Sequence, residues 1–168
     1  MKKAMTRVSV IALVVVAFFV SCGVPYEQDS ARLDAFLGAI NTIPWTSSSL
    51  ESVQASFSED TTDGGQTYAD LATADFWNGT YFAEIDGPWE VTDRAEGSPD
   101  SRFADSSTIT ARITNNSDIT DDVTFVFVPS PDDFSTRLLR AIFVDVATAG
   151  TIRSVGEPTE DRQDWSLF

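Results

Sequence analysis

The amino-acid sequence predicts an α+β domain in which N-terminal helices pack on a curved antiparallel sheet. Three consecutive runs between residues 107 and 147 have the two-residue period of strands. The segments before residue 80 instead repeat apolar residues at a helical spacing. Links rich in Asn, Asp, Ser and Pro join the strands, as in hairpins. An all-β sandwich, with residues 50–58 as a strand, is the alternative that the sequence leaves open.

The first 22 residues have the organisation of an export signal. Residues 1–7 are basic through Lys2, Lys3 and Arg7, and residues 8–20 (VSVIALVVVAFFV) are almost entirely apolar. A transmembrane helix needs about 20 apolar residues, so this run is too short to span a bilayer comfortably. The run ends in the letters FVSC.

This ending resembles the lipobox of bacterial lipoproteins. The resemblance implies a lipid, palmitate included, on the thiol of Cys22 and removal of residues 1–21 as a signal peptide. Such proteins carry two or three acyl chains, which anchor stably to a membrane. Gly23 after the cysteine implies the outer membrane of the cell envelope, facing the periplasm, in a cell that has one. An ordinary secretory signal and an uncleaved anchor are the competing interpretations.

From Cys22 onward the chain is strongly acidic and contains no Lys and no His. Eight Arg stand against 26 Asp and Glu, so the net charge of that part is −18. Such a surface repels nucleic acid and anionic lipid headgroups. The single cysteine excludes an internal disulfide, and the lack of His excludes the usual zinc and non-haem iron sites. We therefore expect no metal and no cofactor, and the acidity fits salt adaptation and compositional drift equally well.

We predict a tether at residues 22–28, a single domain at residues 29–156 and a polar tail at residues 157–168. Three helices open the domain. The first begins at Asp29 or Ser30 and ends before Pro44. The second follows a capping box, and the third is capped by a Thr and ended by an Asn-Gly pair. The residues that define the second and third helices are Ser48, Glu51, Leu50, Val53, Phe57, Thr67 and residues 68–79.

Four strands are predicted after the helices, at residues 88–93, 108–114, 122–128 and 137–146. In the first strand, Trp89 and Val91 are expected to be buried. The third strand, DVTFVFV, is apolar on both faces, which predicts a central strand covered on both sides. Helices supply one cover, and a pocket, a partner or a second copy of the sheet supplies the other.

Three segments resemble the NTF2-like (cystatin-like) α+β cone: FLGAIN at residues 36–41, SFSED at residues 56–60, and the last two strands. The resemblance implies a cone-shaped domain of the kind that small bacterial lipoproteins often carry. Some NTF2-like proteins are enzymes that use an Asp or a Tyr in the cone pocket for proton transfer. No catalytic motif of theirs matches this chain residue by residue, so no catalytic residue is transferred.

The candidate pocket residues are Tyr81, Trp89, Arg140 and Asp145. Asp145 interrupts an apolar strand, and a carboxyl in an apolar pocket can be tuned into a general base. The competing interpretation is a carboxylate at a strand end that faces solvent or pairs with an Arg. Tyr68 and Arg112 are further candidates, and both Arg112 and Arg140 are expected to pair with acids. Six aromatic residues fit a ligand pocket or the core equally well: Trp45, Phe76, Trp77, Tyr81, Phe82 and Trp89.

These features predict a membrane-tethered accessory domain of the cell envelope, without enzymatic activity. Its expected partner is a protein, a small apolar ligand or a second copy of the chain, and not nucleic acid. A pocket enzyme of the isomerase or hydratase type and a structural, dimerising subunit are the alternatives.

Overall fold

The computed structural model describes residues 24–61, 67–115, 120–145 and 164–166. It shows an α+β fold in which helices pack on an open antiparallel sheet, so the predicted class is confirmed and the all-β alternative is wrong. The helices are α1 (Val24–Ile40), α2 (Ser47–Gln54) and α3 (Ala74–Asn78). The strands are β1 (Glu90–Gly97), β2 (Ser107–Thr114), β3 (Thr120–Pro129), β4 (Arg137–Asp145) and β5 (Asp164–Ser166).

Helix α1 begins five residues earlier than the sequence analysis predicted. Pro25 occupies the first turn, where its missing N–H removes no helical hydrogen bond, so nothing delays the helix until Asp29. Most of the predicted tether is therefore helical. The predicted apolar stripe of α1 is buried: Leu33, Phe36, Leu37 and Ile40. Within the described residues no helix combines the length and the apolar character needed to cross a membrane.

Helix α2 is capped two residues earlier than predicted. The Thr46 hydroxyl accepts a hydrogen bond from the Ser49 amide at 3.2 Å, and the Ser49 hydroxyl accepts one from the Thr46 amide at 2.9 Å. This reciprocal pair is a capping box in which Ser replaces the usual Glu. The predicted box of Ser48 and Glu51 is wrong, because those residues lie inside the helix.

The chain becomes strand-like soon after α2, where the sequence fitted both a helix and a strand. Phe57 forms a parallel bridge with Leu139, through hydrogen bonds of 2.8 Å that flank it on both sides. The predicted third helix is divided into a 3₁₀ helix (Tyr68–Ala72) and α3. Thr73 is extended at the break, and its hydroxyl accepts from the Phe76 amide.

The strands form a meander in the order β1-β2-β3-β4-β5, with every neighbouring pair antiparallel. The first strand begins two residues later than predicted and extends to Gly97, four residues beyond its predicted end. Trp89 precedes it and is buried, as predicted. A register shift in β1–β2 and another in β3–β4 mark bulges, which increase the local twist of a sheet.

The inner face of the sheet carries the core. Across β2, β3 and β4 it presents the row Ile109, Phe125 and Ile142, all fully buried. Phe36 of α1 lies over this face at the centre of an aromatic cluster, with ring centres 5.3 to 6.2 Å away. The neighbouring rings belong to Phe57, Trp77, Phe82 and Phe125. Helices α1 and α2 thus supply the first cover that the sequence required.

The outer face presents the row Thr110, Thr124 and Phe143. The link at residues 98–106 folds back over this outer face. Its Arg102 guanidinium lies 4.3 Å from the centre of the Phe143 ring. Val126 is fully buried although it lies outside the main core cluster. The link therefore supplies part of the second cover, for which the sequence suggested a pocket, a partner or another sheet.

Candidate functional site

Two of the predicted pocket residues meet at one end of the sheet, which we call the Trp89 end (Asn41, Tyr81, Trp89 and Asp121). The rings of Tyr81 and Trp89 pack with their centres 4.5 Å apart. The Asn41 side chain accepts from the Trp89 amide and donates to the Trp89 carbonyl, both at 2.7 Å. These bonds hold the C-terminal end of α1 against the start of β1.

A phenol–carboxylate pair lies beside these rings. The Tyr81 hydroxyl donates to Asp121 Oδ2 at 2.9 Å, and Asp121 is only 2% exposed. Burial raises the pKa of the Tyr81 phenol, and the hydrogen bond to Asp121 and the charge of that carboxylate raise it further. Tyr81 therefore stays protonated. The indole Nε1 of Trp89 is buried and has no hydrogen-bond partner among the described residues.

The other two predicted pocket residues do not join this group. Arg140 lies with the outer-face link, where its guanidinium is 4.9 Å from the centre of the Phe103 ring. Asp145 ends β4, and its side chain falls outside the described part of the structure. The structure thus brings Tyr81 and Trp89 together and places Arg140 elsewhere.

The predicted arginine pairing is confirmed for Arg112. Its guanidinium donates to both carboxylate oxygens of Asp122, at 2.9 and 3.1 Å, and these bonds raise the pKa of Arg112. For Arg140 the prediction stays open, because no acidic partner is found within the described residues and several acidic side chains lie outside them. Among the described residues its guanidinium lies against the aromatic face of Phe103.

The aromatic residues that fitted either a pocket or the core belong to the core. Phe76, Trp77, Phe82 and Trp89 are buried members of the main cluster. Trp45 and Tyr81 are partly buried and pack against it. Tyr68 is partly buried too, and burial and the charge of Glu59 raise its pKa. The aromatic rings therefore fill the inner face of the sheet.

A second polar cluster lies at the opposite end of α1, which we call the Arg137 end (Asp29, Ser107, Arg137 and the turn at residues 130–136). Arg137 Nε donates to Asp29 Oδ1 at 3.0 Å, and Arg137 Nη2 donates to the Phe127 carbonyl at 3.1 Å. Ser107 accepts from Arg137 and donates to Asp29. Both Asp29 and Arg137 are buried. This ion pair joins α1 to the starts of β2 and β4.

The sequence analysis missed this network. It predicts Asp29 as a helix cap, whereas the residue lies inside α1, and it assigns Arg137 only to the start of a strand. One signal was available, because an Arg at the start of an apolar strand, in a part of the chain that has no Lys, is a candidate for burial with an acid. Nothing in the sequence indicates which of 26 acidic residues would pair with it.

Two open grooves lie on the surface of the described part. One, of about 460 Å³, follows the outer face between the link and the hydroxyls of Thr108, Thr110 and Thr124. The other, of about 350 Å³, separates α1 at Gln28 and Arg32 from the turn before β4. No group of three or more acidic or thiol side chains that could hold a metal ion occurs among the described residues.

Comparisons of this chain with protein-family models, with curated proteins and with solved structures gave no match.

Proposed function

We propose that this chain is a cell-envelope lipoprotein, held on a membrane by lipid on Cys22, whose domain binds a protein partner without catalysing a reaction. The observation that carries the proposal is the order of the first 23 residues, a basic start, a short apolar run and Cys22 before Gly23. Helix α1 starts at Val24, so cleavage before Cys22 removes no residue of the described fold.

The packing of the domain favours a protein partner over a small apolar ligand. The inner face of the sheet, where a cone-shaped domain would hold such a ligand, is occupied by the rings around Phe36. The grooves at the outer-face link and at the turn before β4 are open to solvent and carry polar side chains. Open, partly polar surfaces are typical of protein contacts, whereas small-molecule sites enclose most of the ligand.

The order of the elements, helices first and an antiparallel meander after them, also supports the NTF2-like cone as the finer description of the fold. A pocket enzyme on that fold would need a free acid, base or oxyanion donor facing substrate. Tyr81 is the best placed candidate, but its hydroxyl donates to Asp121 and its ring packs on Trp89. These contacts favour a structural role for Tyr81.

Growth of the expressing cells with labelled palmitate tests the anchor. We expect label in the full-length chain, found in the membrane fraction, and none in the Cys22→Ser variant. The substituted side chain has no thiol to modify, so the precursor of this variant should keep residues 1–21. Equal labelling of the two proteins would show that another residue carries the lipid.

Mass spectrometry of the purified protein under native conditions tests the partner class. We expect no retained small molecule, because the aromatic rings occupy the inner face. A stoichiometric apolar ligand would instead favour a ligand-binding domain. Light scattering tests the remaining alternative, since a stable dimer without lipid would indicate a structural, self-associating subunit.

A further inference from the structure

Phe134 is the most exposed large apolar side chain of the described residues, at 77%. It lies in the turn between β3 and β4, in the sequence SPDDFST. An exposed Phe at the tip of a turn presents its whole ring to the surroundings, which is unfavourable in water unless something covers it.

Hydrogen bonds fix the shape of this turn. The Ser130 amide donates to the Thr136 carbonyl at 2.8 Å, which closes the turn. The Asp133 carboxylate accepts from the Ser135 amide at 2.9 Å and from the hydroxyls of Ser135 and Thr136. Those bonds lower the pKa of Asp133, so this group stays ionised and engaged within the turn. Phe134 is thus presented outward by an ordered backbone.

The turn lies beside the beginning of α1. Arg32 Nε donates to the Arg137 carbonyl at 2.9 Å, and the smaller groove is formed by Gln28 and Arg32 on one side and by Ser135 and Thr136 on the other. The helix axis between Val24 and Gln28 is only about 6 Å long. Cys22 lies two residues before Val24 in the sequence.

A second strongly exposed apolar side chain lies at the opposite end of α1. Ile85 is 72% exposed, and its neighbour Glu84 accepts a hydrogen bond from the Trp45 amide, beyond the C-terminal end of α1. Helix α1 has 17 residues and is therefore about 25 Å long. Ile85 thus provides a control position of similar exposure and chemistry, far from the Arg137 end.

We propose that Phe134 inserts into the surface of the membrane that carries the lipid of Cys22, as a second contact between the domain and the bilayer. The inference rests on the proposed function, because the lipid brings the Arg137 end to the membrane. Transfer of a Phe ring from water to the boundary between headgroups and acyl chains is favourable. Asp132 and Asp133 flank it, so the contact requires a surface of low negative charge, such as a zwitterionic phospholipid.

The test uses the full-length chain, expressed in cells that acylate it and reconstituted into phosphatidylcholine vesicles. Acylation consumes the thiol of Cys22, so a Phe134→Cys variant has one free thiol for an environment-sensitive fluorophore. An Ile85→Cys variant labelled in the same way is the matched control. The intact mass of each protein reports its acylation, and circular dichroism compares its fold with that of the unsubstituted chain.

We expect the probe at position 134 to shift its emission to shorter wavelength on reconstitution and to be quenched by lipids with brominated acyl chains. The probe at position 85 should show neither effect. Partial replacement by an anionic lipid should weaken the signal at position 134 at low salt, and added salt should restore it.

An acylated protein whose probe at position 134 behaves as in water would overturn the inference and leave the lipid anchor intact. Equal quenching at positions 134 and 85 would also overturn it, because the contact would then have no orientation. A mass without lipid would overturn the proposed function itself, and the inference with it.

Discussion

Arg137 Nε lies 3.0 Å from Asp29 Oδ1 inside the protein, where the two side chains are 9% and 1% exposed. They are 108 residues apart in the sequence, and they connect the beginning of α1 to β4. Ser107 bridges both groups, and the Phe127 carbonyl accepts from the guanidinium. If lipid holds Cys22, this pair connects the helix next to the anchor with the sheet.

Replacement of one member of the pair should be strongly destabilising. Asp29→Ala leaves the Arg137 guanidinium buried without its counter-charge, a change that typically costs about 3–5 kcal/mol of unfolding free energy. Urea unfolding at neutral pH measures it. The control is Asp34→Ala, which breaks an exposed pair with Arg94 and should cost no more than about 1 kcal/mol. Equal effects of the two variants would contradict the buried role of Asp29.

We predict that the folded protein loses stability at high pH because of the Tyr81 phenol. Its pKa in the folded protein is raised above the unfolded value of about 10, so the folded state keeps this proton while the unfolded state loses it. The stabilisation is therefore complete below about pH 10 and declines as the pH rises above that value. Phenolate absorbance, followed as the pH is raised, should show one Tyr that ionises only on unfolding.

Tyr81→Phe should remove that late ionisation step and reduce the pH dependence of stability above about pH 10. At neutral pH the variant should lose about 1.5–3 kcal/mol, because the buried Asp121 carboxylate loses its phenol donor. Urea unfolding of the two proteins measures this difference. A variant as stable as the unsubstituted protein at neutral pH would show that water or another group satisfies Asp121 equally well.

Two glycine substitutions should have opposite effects. An alanine Cβ at position 97 would clash with Thr108 Oγ1, and rotation of that side chain would break its hydrogen bond to the Ser98 carbonyl. Gly97→Ala should therefore cost about 1–3 kcal/mol. At Gly38, inside α1, nothing lies within 4 Å of an added Cβ, so Gly38→Ala should stabilise by about 0.5–1 kcal/mol. Thermal unfolding measures the stability of both variants. A Gly97→Ala variant as stable as the unsubstituted protein would contradict the close contact between β1 and Thr108.

The net charge of −18 from Cys22 onward predicts a domain that salt stabilises. Repulsion among the acidic side chains opposes the compact state, and the screening length falls from about 30 Å at 0.01 M to about 8 Å at 0.15 M salt. The melting temperature of the domain expressed from Gly23 onward, which has the same charge of −18 and neither signal nor lipid, should rise over that range and change little beyond it. A constant melting temperature would argue against self-repulsion and favour compositional drift as the origin of the acidity.

Local patterns were sufficient to predict the fold class, the buried stripe of α1 and the three strands from residue 107 onward. Each depends on a period that neighbouring residues reveal, as in the alternation of Ile109, Ala111 and Ile113. Boundaries were less accurate where two patterns compete. Thr46 and Ser48 both fit a helix cap, and the structure selects the first, with Leu50 and Val53 buried against the core.

The polar clusters could not be predicted, because they join residues that are distant in the sequence. Tyr81 and Trp89 are predicted as aromatic pocket candidates, but Asp121 lies in the link before the third predicted strand. Arg140 is expected to pair with an acid, and within the described residues its guanidinium lies over Phe103, at the residue that the bulge between Leu139 and Ala141 leaves unpaired in the register. Such choices depend on tertiary structure, which short-range patterns do not contain.

The mass of the intact protein, extracted from membranes of the cells that express it, tests the central claim most directly. We predict a chain that begins at Cys22 and carries the added mass of a diacylglycerol, with or without a third acyl chain. A chain that retains residues 1–21 and a free thiol, recovered from the soluble fraction, would contradict the account.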